Sequence, residues 1–497
     1  MNRALTHTAR DPAAFAGLET VEVTGLTADS RAVQPGYLFA ALPGGKVSGV
    51  TFIGEAAKRG AVGVLAPVGA RLASDLPPIP VIEDPQPRHL FAQMAAAFYG
   101  VQPECVVAVT GTSGKTSTVN FARQLWAHLG FSAGSLGTLG IESDPITRYG
   151  TLTTADPVEL HADLAALARA GVSRVAMEAS SHGLDQYRLD GVRVRAAGFT
   201  SFGRDHLDYH ATSESYLTAK LRLFTDVLQP GGTAILNADI AEFGRLKAAA
   251  EEAGHPVISY GLQGKELRVL RREPTATGQR VAIRAFDREF SVDLPLAGEF
   301  QLMNALCALG LVIASEADDL AQIAQTLDLA RFIGGLETLT GVRGRLERVA
   351  TLPNGASVYV DYAHKPDALV AVLDALRPHT AGRLIVAFGC GGDRDPGKRP
   401  IMGEIATRLA DQVIVTDDNP RSEEPAAIRA AIMSGAPGGI EIGDRAEAIA
   451  AGIRELGPGD ILVVAGKGHE QGQIVGSTVR PFDDAAVVRE AVTKVAR

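Results

Sequence analysis

The stretch Val106-Val107-Ala108-Val109-Thr110-Gly111-Thr112-Ser113-Gly114-Lys115-Thr116-Ser117 leaves this chain few ways to fold. An apolar run rich in β-branched residues stops at a turn bracketed by glycines. Lys115-Thr116-Ser117 then opens a helical pattern carried by Val119, Phe121, Ala122, Leu125, Trp126 and Leu129. Strand, glycine loop and helix together cradle phosphate, because the loop N–H groups point inward and the helix N-terminus adds partial positive charge. In that reading Lys115 reaches the β- and γ-phosphates and the Thr116 hydroxyl ligates Mg2+. The pattern GxxxxGK[ST] is incomplete, since its first glycine falls at Val109. A plain strand-to-helix turn of small residues is the alternative.

A chain of 497 residues exceeds one ordinary core, so several domains are expected. Its hydrophobic fraction of 46% and charged fraction of 21% describe a globular protein. A formal net charge of -9 argues against a bulk nucleic-acid binder. Cys105, Cys307 and Cys390 are odd in number and far apart, which suits reduced cytosolic thiols. The opening MNRALTHTARDPAAF lacks the apolar core of a signal peptide, and no stretch reaches the roughly 20 apolar residues that span a bilayer. A cytoplasmic α/β protein without membrane or nucleic-acid partner is the expectation.

Residues 1–100 alternate short apolar runs, Gly36–Leu42 and Ala61–Ala66, with a helix-like piece at Glu55–Gly60. Between the first run and that helix lies a glycine-rich loop that includes Gly45 and Lys46. Thr27-Ala28-Asp29-Ser30-Arg31 is a polar turn, either merely capped or part of a site. Pro77, Pro78, Pro80, Pro85 and Pro87 predict a boundary or linker. From 101 to 342 the rhythm is strand, turn, helix, with strands at Val106–Val109, Val175–Met177, Ala196–Thr200 and Ala234–Leu236. That is the signature of a doubly wound parallel sheet with ligands beyond the carboxyl ends of its strands. Residues 264–296 alternate like antiparallel hairpins. From 343 to 497 a new α/β set begins, with strands at Ser357–Val360, Leu384–Phe388, Gln412–Thr416 and Ile461–Val464. Every one of these C-terminal strands ends in a loop loaded with polar residues.

Single residues allow more than one reading. Glu178 and His206 are candidate Mg2+ ligands, although Mg2+ prefers oxygen. The His206/His210 spacing also suits zinc, without the HExxH glutamate. Lys220 reads by spacing as a solvated helix lysine. Arg394 and Arg421, in turns beyond strand ends, are either carboxylate-gripping forks or surface arginines.

TGTSGKTS, TTADP at 153–157, EASSH at 178–182, DHLDYH at 205–210, YLTAKLRLF, GEFQLMNAL at 298–306, GRLE at 344–347, DYAHKP, GCGGDRD, DNPR and AGKGHE occur in one order. In that order and over nearly the whole length, the chain resembles the Mur ligases of peptidoglycan synthesis. More narrowly, it is similar to those that add a diamino acid to UDP-N-acetylmuramoyl-L-alanyl-D-glutamate. The family's TGTxGKT loop also accounts for Val109. The resemblance implies three domains: 1–100 for the UDP substrate, 101–342 a central P-loop ATPase with a mostly parallel sheet, and 343–497 a Rossmann-like domain for the amino acid.

By position, the resemblance assigns Gly111, Thr112, Ser113, Gly114, Lys115, Thr116 and Ser117 to the ATP phosphates. Asn304, Arg345 and Asp361 match positions facing the nucleotide. Thr116, Glu178, His206 and Lys220 would hold two Mg2+ ions, Lys220 as the carbamate that the family forms there. Ala28, Ser30, Thr153, Thr154, Ser180, Gln186 and Arg188 fall where the UDP-muramoyl peptide binds. Arg394, Asp418, Asn419, Pro420, Arg421, Gly466 and Glu470 match the diamino-acid pocket. Lys115, Glu178, His206 and Lys220 form the expected catalytic group.

The implied reaction is an ADP-forming acid–amino-acid ligation through an acyl phosphate on the D-Glu γ-carboxylate, with closure of the C-terminal domain keeping water out. Asp418-Asn419-Pro420-Arg421 is the motif form associated with meso-2,6-diaminopimelate, whose distal carboxylate a guanidinium can grip. Lysine or ornithine as the added amino acid, a sister Mur ligase and a folylpolyglutamate ligase are the alternatives. A monomer serving cell-wall synthesis, cell shape and division is implied.

Overall fold

The computed structural model describes residues 21–44, 47–70, 79–150, 152–206, 209–317 and 323–495. The opening segment up to residue 20, Gly45 and Lys46, Pro77 and Pro78, and Leu207 and Asp208 lie outside the described residues. The chain divides into two compact units, one running to Tyr260 and including Gly310–Leu327, the other made of Gly261–Leu309 and Asp328–Arg497.

The first unit begins with a parallel sheet of β1 (Gly25–Thr27), β2 (Tyr37–Ala40), β3 (Gly63–Pro67) and β4 (Val81–Asp84), paired in that order. Successive side chains of a strand face opposite ways, so each strand feeds two cores. Leu38, Ala40, Leu65 and Ile82 meet Leu90, Phe91 and Met94 of α2 (Pro87–Tyr99). Phe39, Val64 and Ala66 meet Ile53 and Ala56 of α1 (Ile53–Lys58). At Pro80, Pro85 and Pro87, the prolines of that stretch among the described residues, the chain is built into the domain instead of forming the expected boundary or linker. β4 pairs with β3 beyond Pro80, and Pro87 occupies the first turn of α2, where its missing N–H costs nothing.

The central elements are β5 (Cys105–Thr110), α3 (Lys115–His128), β6 (Ala133–Gly137), β7 (Gly140–Ser143), β8 (Thr147–Arg148), α4 (Pro157–Arg169), β9 (Arg174–Glu178), α5 (Ser181–Asp185), β10 (Val194–Phe199), α6 (Ser213–Arg222), β11 (Leu228–Asn237), α7 (Phe243–Glu252) and β12 (Val257–Gly261). Parallel pairing runs β12-β11-β10-β5-β9-β6, and β7 and β8 add antiparallel at the edge. β5 lies between β9 and β10, so the chain crosses over it on passing from one to the other. The crevice beyond the carboxyl ends of β5, β9 and β10 is therefore the topological switch point, where such sheets bind ligands. α4 starts where its sequence demands: Asp156 accepts from the N–H groups of Val158 and Glu159, and Pro157 follows it.

The second unit holds the expected antiparallel meander, β13 (Leu267–Thr275), β14 (Gly278–Ala285) and β15 (Arg288–Leu294). α8 (Glu299–Glu316), counted in this unit up to Leu309, and α9 (Leu329–Gly334) follow. The C-terminal sheet contains β16 (Glu347–Thr351), β17 (Ser357–Asp361), β18 (Leu384–Phe388), β19 (Gln412–Val415), β20 (Ile440–Glu441) and β21 (Ile461–Ala465) in the order β16-β17-β21-β18-β19-β20, with only β16 antiparallel among the described strands. Its helices are α10 (Pro366–Leu376), α11 (Lys398–Leu409), α12 (Pro425–Met433), α13 (Arg445–Arg454) and α14 (Asp484–Val495), and a hairpin of β22 (Gly472–Val475) and β23 (Thr478–Pro481) precedes the last. Tyr359, Val386 and Val463 point into one core and Val358, Ile385 and Leu462 into the other. The class is α/β with mostly parallel sheets, as the rhythm of the sequence predicts. The three cysteines are buried and not joined in disulfides, and burial pushes the thiols of Cys105 and Cys390 up to about 11. No described helix is long and apolar enough to cross a membrane.

Candidate functional site

The loop after β5 is held from outside, which leaves its inner face for a ligand. Gly111 has φ +143°, and a Cβ there would stand 2.0 Å from Thr200 Oγ1. Only glycine fits so close to the end of β10. Ser201 Oγ accepts from Ser113 N at 3.0 Å, and Ser201 O accepts from Thr112 N at 2.8 Å. Lys115 curls back over the loop, donating from Nζ to Gly111 O at 2.9 Å and Thr112 O at 3.0 Å. Thr116 and Ser117 are buried in the first turn of α3.

Lys220 overturns the solvated-helix expectation. It lies on the inner face of α6 with Tyr216, one turn earlier, and is 1% exposed. Its Nζ donates to Gly111 O at 2.7 Å and stands 4.4 Å from the centre of the Tyr216 ring. Burial, reinforced by the Lys115 charge, holds this amine well below the ordinary lysine range. A π-helical turn, Leu223–Val227, follows immediately, an irregularity common at functional sites.

At the end of β9, Glu178 is buried and its carboxylate is aimed by a residue the motifs did not flag. Thr138 donates to Oε1 from its backbone N at 2.7 Å and to Oε2 from its hydroxyl at 3.3 Å. Thr138 Oγ1 also meets Thr153 Oγ1 at 3.1 Å. Thr154 Oγ1 donates to Glu178 O and accepts from Ser180 N, both at 3.0 Å. Arg188 donates to Thr154 O at 2.7 Å and to Gln186 Oε1 at 2.8 Å. Thr153, Thr154, Ser180, Gln186 and Arg188 are thus one hydrogen-bonded group around Glu178. Ala28 and Ser30 do not join it among the described residues. Ala28 is exposed, Ser30 bonds Glu55 at 3.2 Å, and Asp29 caps the short helix Ser30–Ala32.

His206 has φ +52° and packs edge-on against His182 at 4.9 Å, with His210 at 5.6 Å from the same ring. Among the described residues, no three His, Cys, Asp or Glu side chains converge to hold a metal by themselves. Glu178 offers carboxylate oxygens at the end of β9, the donor type that Mg2+ takes before phosphate and water complete its shell.

In the second unit, Asn304 Nδ2 donates to Gln301 Oε1 at 3.1 Å, and Gln301 Nε2 donates to Arg345 O at 2.8 Å. Asp361, at the end of β17, accepts from Leu346 N at 2.6 Å and Ala363 N at 2.7 Å. Burial outweighs these donors and Arg345, raising its carboxyl to about 6. Asn304, Arg345 and Asp361 therefore form one neighbourhood.

The ends of β18, β19 and β21 gather the other group. Arg421 (φ +51°) donates to Gly392 O at 2.9 Å, and its backbone N donates to Ile474 O at 3.0 Å, which pins the loop to β22. Asn419 donates to Glu470 Oε2 at 3.0 Å. Gly466 (φ +118°) leaves no room for a Cβ, which would meet Asp418 Oδ2 at 2.6 Å. Pro420 is buried and Arg394 is exposed. Of the non-glycine residues at positive φ, Tyr187, His206, Leu346, Asp393 and Arg421 all lie in these loops. Such strain persists where function selects it.

Residues 22–99, 109–312 and 344–468 match three family models described as the Mur ligase family catalytic domain, the Mur ligase middle domain and the Mur ligase glutamate ligase domain. A UDP-N-acetylmuramoyl-L-alanyl-D-glutamate--2,6-diaminopimelate ligase of Brucella melitensis biotype 1 is 53% identical over 95% of this chain and 94% of its own. A protein of the same name from Rhizobium meliloti is 52% identical over 95% of each chain. A solved structure bearing that ligase name superposes with a TM-score of 0.71 at 32% identity, over 96% of both chains. This chain belongs to the Mur ligase family.

Proposed function

We propose that the chain is the ATP-dependent ligase that joins meso-2,6-diaminopimelate to the D-Glu γ-carboxylate of UDP-N-acetylmuramoyl-L-alanyl-D-glutamate. The observation that carries this reading is the whole-length similarity to relatives named for that reaction. The domain limits 1–100, 101–342 and 343–497 belong to the same proposal, as do a monomeric state and a cytoplasmic location.

A carboxylate is a poor acyl donor. The D-Glu γ-carboxylate therefore attacks the ATP γ-phosphorus, an acyl phosphate forms, and ADP leaves. The amine then attacks the acyl carbon, and phosphate leaves from the tetrahedral adduct. Gly111 to Ser117 cradle the phosphates through backbone N–H groups, with Lys115 countering their charge. Asn304, Arg345 and Asp361 take the nucleoside side. Thr153, Thr154, Ser180, Gln186 and Arg188, with Ala28 and Ser30, hold the UDP-muramoyl dipeptide. Arg394, Asp418, Asn419, Pro420, Arg421, Gly466 and Glu470 take the diamino acid.

Thr116, Glu178, His206 and Lys220 would hold Mg2+, which when bound neutralises charge on the transferring phosphoryl group. Lys220 suits this role only as an anion. Burial lowers its basicity and so favours the neutral amine, whose nitrogen attacks CO2, forms a C–N bond and loses a proton to give a carbamate. Support for that step is the burial of Lys220 and the low basicity it imposes.

Phosphate release by the purified chain, with ATP, Mg2+, the UDP-muramoyl dipeptide and a panel of diamino acids, tests the reading, with products weighed by mass spectrometry. Release should require both co-substrates and be fastest with meso-diaminopimelate. Faster ligation of lysine or ornithine would overturn the amino-acid assignment.

A further inference from the structure

Lys467, the lysine of AGKGHE, is among the largest side chains with no exposed surface, and the roles above leave it unused. Its Nζ donates to Asn419 Oδ1 at 2.9 Å and to Glu470 Oε2 at 3.3 Å, and stands 3.9 Å from Asp418 Oδ1. One ammonium thus meets acceptors from two separate loops. The rest of the group is locked by the same bonds. Asn419 Oδ1 also accepts from Ile474 N at 3.0 Å, while its Nδ2 donates to Glu470. Both ends of that amide are committed, so its orientation is set.

Arg445 and Asp484 pair with no exposed surface on either, and Arg445 also reaches the backbone at Asp417 and Ala465. Lys467 faces two carboxylates, Asp418 and Glu470, and Lys398 and Arg445 lie within electrostatic reach of Asp418. Glu470, 32% exposed at its side chain, presents its charge outward. One ammonium of an incoming amino acid suits it, while Arg421 and Arg394 remain for a carboxylate. Removal of Lys467 would take a buried cation from beside two carboxylates and so raise their repulsion of any distal carboxylate of the substrate, an effect that buried sites transmit strongly.

We propose that Lys467 is a positioning and specificity-determining residue: it orients Asn419 and Glu470 and sets the pocket's charge, so that a diamino acid with a distal carboxylate is taken in preference to one with only a distal amine. This rests on the diamino-acid reading above. Lys467→Met in the full chain tests it, with meso-diaminopimelate and L-lysine as paired substrates. KM for diaminopimelate should rise about tenfold, while KM for L-lysine, ATP and the UDP-muramoyl dipeptide each stay within about twofold. Lys467→Gln, which keeps a donor and loses the charge, carries the same comparison where the methionine variant melts early. Equal KM changes for both amino acids, or a parallel rise for ATP, would make Lys467 merely structural and overturn the proposal. A parent chain that ligates no diamino acid overturns the underlying reading instead.

Discussion

Two lysines with almost no exposed surface, Lys220 and Lys467, keep very different company. Lys220 gives its hydrogen bond to the peptide oxygen of Gly111 and feels the like charge of Lys115. Lys467 is ringed by Asn419, Glu470 and Asp418. Burial lowers the basicity of Lys220, whose acceptor is a peptide oxygen, whereas Lys467 is set among carboxylates. The first is thereby suited to covalent chemistry at its nitrogen, the second to organising other groups. Burial alone does not assign a role; the company does.

The sharpest way to break this contrast is to replace Lys220. If Lys220 as its carbamate holds the charge-neutralising metal, as proposed, Lys220→Met should lower ligation by about 10³-fold or more. In the parent chain, isotope-labelled bicarbonate should give a carbamate carbon signal that Lys220→Arg lacks. A parent chain without that signal, or a Lys220→Met chain with near-normal turnover, would put Lys220 in the same class as Lys467.

The second test removes a partner. Arg445→Met leaves Asp484 buried and unpaired and should destabilise the chain by about 3–5 kcal/mol, read by denaturant unfolding. Arg445→Met with Asp484→Leu should recover most of that loss, because an apolar pair carries no stranded charge. A double variant as unstable as the single one would mean that the bonds of Arg445 to the backbone at Asp417 and Ala465 matter more than the pair.

Much of this was legible before any coordinates. Strand ends loaded with polar residues point to the crevice at the switch point, and the apolar runs locate β5, β9, β10 and the C-terminal strands to within a few residues. Spacing alone reads Lys220 as solvated, and only the family resemblance points the other way, because a helix face is assigned by its neighbours and the loop it faces lies 109 residues earlier. Thr138, Arg445 and Asp484 carry no motif at all. Their roles arise from pairing across distant segments, which periodicity does not register. Pro85 and Pro87 look like a linker in sequence, yet Pro87 starts a helix, because proline marks both kinds of place.

Asp361 tests the intermediate case, a buried group with partners that still do not suffice. Leu346 N, Ala363 N and Arg345 favour its ionised form, yet burial lifts it from 3.8 to about 6. A raised carboxyl means that the folded chain binds its proton more tightly than the unfolded one. Its contribution to stability is therefore present below the ordinary carboxylate range and is lost as pH rises from about 4 to about 6. Nucleotide binding should follow the opposite course if the ionised carboxylate is what orients the nucleoside. KM for ATP should then rise by up to about tenfold per unit as pH falls below 6. ATP and Mg2+ titrate in the same range, so the comparison that counts is with Asp361→Asn, which lacks the group. The variant should start with a higher KM at neutral pH and show a flatter profile. Identical profiles in the two chains would mean that Asp361 stays in one protonation state throughout, and that its backbone donors hold it more firmly than its burial suggests.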